Sequence, residues 1–136
     1  MSAPERDLRL ALETALKADD GVKAVLGDPV RLFERRNRRA AWPHASWGRA
    51  ESVARGADGV EVIEHRLTLD IWCREADPAP LVGAVRAALV GMDFDLPEPW
   101  TLVTLLPGYA DVFVTRDPDV RRGLVRLRAV MGRVAA

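Results

Sequence analysis

The sequence predicts an α+β domain: an antiparallel or mixed sheet of about four to five strands with two main helices packed on one face. Three observations carry that expectation. An amphipathic helical pattern lies near the N-terminus, an alternating strand at 65–74 runs straight into a capped helical pattern, and further strand patterns group between and after the two helices. A chain of 136 residues suits one domain, here 1–136, and is too short for two ordinary ones. Its size buries roughly two-thirds of the unfolded surface, enough for a core without staples.

Residues 5–18 read as the first helix. Leu8, Ala11, Leu12, Ala15 and Leu16 form one apolar stripe, with Arg6, Arg9, Glu13 and Lys17 on the other side. Glu13 and Lys17 add an i,i+4 pair in the favourable order, worth a few tenths of a kcal/mol. Asp19-Asp20-Gly21 ends this helix. Asp20 is then expected to cap a short second turn holding Val22, Val25 and Leu26, which Gly27-Asp28-Pro29 stops. Val30–Glu34 is a short strand that opens into Arg35-Arg36-Asn37-Arg38-Arg39, a flexible, solvated loop over about 35–41. Residues 40–47 are extended, because Pro43 pushes Trp42 out of helical geometry. From Gly48 to Gly59 the chain is Gly, Ala, Ser and charge without periodicity, which predicts a flexible loop or the tip of a long hairpin.

The strand signal is best from Val60 to Cys73. Leu67, Leu69, Ile71 and Cys73 point one way, while Arg66, Thr68, Asp70 and Trp72 point to solvent or a partner. Asp77 is the expected N-cap of a helix over 78–90, with Pro78 at its first position and Gly91 beyond its last turn. That helix buries Leu81, Val82, Val85, Ala88 and Leu89. After an Asp- and Pro-rich connector at 93–99 come two strands, at 100–106 and 109–116. Asp117-Pro118-Asp119 has turn chemistry. A last strand at 122–133 sets Val125, Leu127, Ala129 and Met131 against Leu124, Arg126, Arg128 and Val130.

Composition excludes several classes. Hydrophobic residues at 49% and charged residues at 29% fit a globular protein and argue against disorder. Cys73 is the sole cysteine, so no internal disulfide forms, and with two histidines it makes no structural zinc site. An intracellular, reducing place of synthesis fits this usage. No apolar run approaches the roughly 18 residues that cross a bilayer, and the N-terminus lacks the order of a secretory signal. No membrane partner is therefore expected. Twenty acidic and twenty basic residues cancel, which gives no general attraction to nucleic acid. Eighteen of the basic residues are arginine and only Lys17 and Lys23 are lysine. A GC-rich genome explains that bias, and so does retention of Arg for bidentate interface pairs.

No catalytic constellation emerges. His65 and Cys73 share a strand side eight residues apart, roughly 26 Å, too far for a nucleophile–base pair. Cys73 reads as a small core residue and His65 as an edge polar group. Glu61 with Glu64, or Asp117 with Asp119, lack a third metal ligand. Gly56, Gly59 and Gly108 build no phosphate-cradling loop, and there is no nucleophile elbow. No cofactor or metal is expected, and nothing reads as an enzyme. The features left over are suited to contact. Arg35, Arg36, Arg38 and Arg39 form a dense basic cluster beside Trp42 and Trp47, which could stack on bases, although no recognised nucleic-acid motif accompanies them. Trp72 points away from the apolar face of its strand, toward a second core layer or a neighbouring subunit.

The ordered segment from Trp42 to Leu89 carries a resemblance. Pro43-His44-Ala45-Ser46-Trp47-Gly48, a polar loop, then Ile71-Trp72-Cys73-Arg74 entering a helix, is similar to the tail-completion (tail terminator) proteins of long-tailed phages and gene transfer agents. The likeness extends from Leu8-Arg9-Leu10-Ala11-Leu12 to Arg126-Leu127-Arg128-Ala129. The Arg35–Arg39 cluster departs from it by carrying more charge than that family would. The resemblance implies a structural virion protein: a homo-hexameric ring that caps the head-proximal end of the tail tube, stops its growth and meets the neck. Its implied partners are other copies of itself, the tail tube protein and the head-side connector, with passive contact to DNA in the lumen. Arg35, Arg36, Arg38, Arg39, Trp42, Trp47, Arg49, Glu51, Arg55 and Trp72 are the expected interface residues. A small nucleic-acid-binding or regulatory module using the Arg35–Arg39 loop is the alternative.

Overall fold

Residues 3–56 and 58–134 are described by a computed structural model of the chain. The N-terminal signal reading at Met1 and Ser2, Ala57 of the expected loop, and the final two residues of the expected domain lie outside the described residues.

The apolar stripe of the first helix, α1 (Pro4–Ala18), buries Leu8, Leu12 and Leu16 completely or nearly so. Asp19, not Asp20, caps α2 (Asp20–Leu26): its Oδ2 accepts the Val22 N–H at 3.0 Å. Asp19 holds extended backbone angles, as a cap does, whereas Asp20 is already the first helical residue. The chain continues through β1 (Leu32–Phe33), β2 (His44–Ala54), β3 (Val60–Arg74), α3 (Ala79–Leu89), β4 (Thr101–Val114) and β5 (Val120–Val134). The five strands lie in the order β1-β2-β3-β5-β4, with β1 parallel to β2 and every other pair antiparallel. The result is the α+β domain with a mixed sheet that the sequence predicts.

Four local expectations change. The stretch at 48–59 is mostly strand and belongs to a long hairpin, because Glu51 to Ala54 pair with Arg66 to Ile63. Beyond them the Arg55 N–H donates to the Val62 carbonyl at 2.8 Å, which leaves only a short tip. The strands at 100–106 and 109–116 are one strand, since Pro107-Gly108 makes a bulge where the sequence predicts a break. Asp77 accepts the Ala79 N–H at 3.0 Å but sits one residue outside the cap position, which Pro78 occupies. His65 is buried at 2% exposure beside the start of α1, not at an edge.

All three helices cover one side of the sheet. The covered side presents Ala45 and Trp47, then Leu67, Leu69, Ile71 and Cys73, then Val125, Leu127, Ala129 and Met131, and these join the helix leucines in one core. Gly123 makes room for α3: a Cβ there would stand 2.6 Å from Val82 Cγ2. Because side chains alternate along a strand, the even-numbered residues of β3 and β5 face the other way, where no helix lies.

Candidate functional site

The uncovered face of the sheet is the chemically distinctive surface. On it, β3 places Glu64, Arg66, Thr68, Asp70 and Trp72 opposite Val130, Arg128, Arg126, Leu124 and Arg122 of β5. Arg66 and Arg128 are direct cross-strand partners, and two like charges so placed repel. Glu64 resolves the repulsion. It accepts Arg128 Nε, and its other oxygen accepts Arg55 Nε at 3.1 Å from the β2–β3 hairpin, with Arg66 Nε 3.6 Å away. These hydrogen bonds hold the carboxyl at a pKa of about 2. Asp70 does the same for Arg122, its Oδ1 accepting Nε at 2.8 Å and Nη2 at 2.6 Å.

The aromatic residues form a second tier. Trp72 Nε1 donates to Ser46 Oγ at 3.2 Å, while the guanidiniums of Arg36 and Arg122 lie 3.9 and 5.5 Å from its ring. Arg126 lies 4.9 Å over Tyr109, whose hydroxyl donates to Asp111 Oδ2 at 2.8 Å. That bond lowers the Asp111 pKa and raises that of Tyr109. Among the described residues Arg126 has no carboxylate within 4.0 Å. A shallow hollow of about 500 Å³ runs across this face between Arg49, Arg66, Tyr109 and Arg126.

The expected interface residues divide. Arg36, Arg49, Glu51, Arg55 and Trp72 gather on or around the open face. Arg35, Arg38 and Arg39 are exposed on the loop before β2, where Asn37 Oδ1 accepts the Arg39 N–H, and Arg38 lines the same hollow as Arg36 and Trp72. Trp42 is half-buried against His44, ring centroids 4.8 Å apart. Trp47 faces inward under α1 and donates its indole N–H to Glu13 Oε1 at 2.6 Å. Arg122, Arg126 and Arg128 join the site without being expected there, although basic residues at alternate positions of the last strand were the signal.

Cys73 is 1% exposed, and burial pushes its thiol up to about 11, away from thiolate reactivity. Burial also lowers the pKa of both His44 and His65, keeping them neutral. No group of three or more metal-ligating side chains occurs among the described residues, and no described helix is long and apolar enough to cross a membrane.

The sequence matches the family model "Tail completion protein gp17" over residues 11–132. The chain belongs to this family. It is thus a structural tail protein of a phage-type particle. Its fold is that of a chain in the solved virion of a native gene transfer agent particle, with a TM-score of 0.82 and 22% identity, covering 97% of this chain and 99% of that one. No curated protein matches it.

Proposed function

We propose that this tail completion protein forms a homo-hexameric ring that ends the tail tube at its head-proximal face and joins it to the neck of a phage or gene transfer agent particle. Family membership over residues 11–132 is the observation that carries the reading. The surface chemistry supports it: a broad face of arginine and aromatic side chains is the composition of a protein interface, and the buried thiol and neutral histidines suit a scaffold, not an enzyme. On this reading the protein works at the tail–neck junction of the virion. Its contacts are other copies of itself, the tail tube protein and the head-side connector, with Arg35, Arg38 and Arg39 free to meet DNA passively in the lumen.

Removing the protein from the producing cell tests the role. Tails assembled without it should grow past their normal length and fail to join heads, and supplying the wild-type chain should restore both. Tails of normal length joined to heads in its absence would refute the terminator role.

A further inference from the structure

The chain is neutral as a whole but its charge is divided between the segments of the helix layer and the rest. The segments that build the helix layer, 4–28 and 77–100, hold ten acidic and five basic residues, a net −5. The remainder, mostly sheet, holds ten acidic and fifteen basic, a net +5. On the open sheet face the split is sharpened by depth. Glu64 and Asp70 lie at the base, 5% and 7% exposed, while Arg49, Arg66 and Arg128 stand above them at 83%, 52% and 47% side-chain exposure. A partner approaching this face therefore meets mostly guanidinium, with Glu51 beside Arg49 and Arg66 and Asp111 beside Tyr109 as the exposed carboxylates.

On the opposite side, the connector between α3 and β4 exposes Asp93, Asp95 and Glu98 with no basic residue among them. Beside it, Asp7, Leu10, Phe94 and Pro97 line an open apolar hollow of about 440 Å³ against α1. Leu10 is 44% exposed there. Carboxylates around an apolar floor match arginines and aromatic rings such as Tyr109, since Arg pairs carboxylates through its planar fork while its stem and the rings cover apolar surface.

We infer that the arginine-rich sheet face of one copy docks on the acidic connector of the next copy and the Asp7–Leu10 face of α1 beside it. The two surfaces lie on opposite sides of the sheet, so the contact is head-to-tail, the kind that gives a ring where the rotation between copies closes and a filament where it does not. The inference deepens the ring reading and rests on it for the number of copies, but the pairing of faces stands on the charge division.

Two double variants test it. Arg49→Glu with Arg126→Glu reverses the sheet side, and Asp95→Arg with Glu98→Arg reverses the connector side; none of the four side chains holds the core. Sedimentation of the purified chain over a concentration series at low salt should show self-association that salt weakens. Each variant alone should associate at least about tenfold more weakly, since like charges then face each other. An equimolar mixture of the two should recover association, because every contact in an alternating assembly is again between opposite charges. A wild-type chain that stays monomeric, variants that associate normally, or a mixture no stronger than its parts would overturn the pairing. So would binding of a short DNA duplex that needs Arg49 and Arg126 and excludes self-association. Particles with a six-copy ring insensitive to both variants would remove this contact and leave the terminator role standing, whereas tails of normal length without the protein would do the reverse.

Discussion

Replacing Gly123 by alanine should destabilise the fold through one identifiable clash. An added Cβ would lie 2.6 Å from Val82 Cγ2, 3.4 Å from Pro78 Cβ and 3.6 Å from Ile71 Cβ. The last two are tolerable; the first is not. Val82 is 6% exposed on α3, and a helical valine has one strongly preferred rotamer, so its methyl cannot swing aside. Either α3 lifts from the sheet or the strand shifts, at a cost of about 1–3 kcal/mol for overpacking. Val82→Ala alone removes two buried methyl groups and should cost about 2 kcal/mol. Together the two changes refill the site, so the double variant should lose at least about 1 kcal/mol less than the sum of the singles. Urea unfolding followed by the fluorescence of the buried Trp47 and Trp100 reads all four proteins. A neutral Gly123→Ala, or strictly additive losses, would refute the close approach of α3 to the sheet at this point.

The remaining predictions concern charge, burial and the loop. Glu64→Gln should reduce stability at neutral pH and flatten the acid limb of the stability profile. The folded pKa of about 2 lies below the ordinary value of 4.5, so the wild-type contribution is present above about pH 4.5 and lost as pH falls toward about 2. The histidines act in a higher window: with His65 held below its ordinary 6.5 by burial, stability should fall as pH drops through about 6.5, and His65→Gln should remove part of that slope. Cys73→Ser should cost about 1–3 kcal/mol by burying a hydroxyl, seen as a lowered urea midpoint with particle assembly retained. Neutralising Arg35, Arg36, Arg38 and Arg39 together should leave circular dichroism and urea midpoint nearly unchanged while lowering particle yield; normal yield would show the loop to be ordinary surface.

Elements that bury one face were legible in the sequence. The Leu8, Leu12, Leu16 stripe and the Leu67, Leu69, Ile71 alternation are written by the core itself, because each position must meet water or protein in turn. The far half of β2 was not legible. Gly48 to Ala54 are exposed apart from the half-buried Val53, and where Ser52 meets α1 it reaches the polar Glu5 at 3.4 Å, so pairing with β3 imposes no apolar alternation. Pro107-Gly108 carries turn chemistry that an edge strand can absorb as a bulge. Trp47 and His65 were hidden for another reason: α1 lies across their strands from a distant part of the sequence, and only that tertiary packing, with Glu13 accepting the Trp47 indole N–H, covers the two polar-edged rings. The open face was half legible. Trp72 and the direction of Arg66 followed from alternation, but the matching arginines of β5 gain meaning only once β5 lies beside β3 and Glu64 falls among them.

The most direct measurement is a reconstruction of the tail–neck region of the particle that carries this chain. Six copies in one ring are expected, seated between the last tube layer and the head-side connector. Three or twelve copies, or a position at the far end of the tube, would contradict the terminator role.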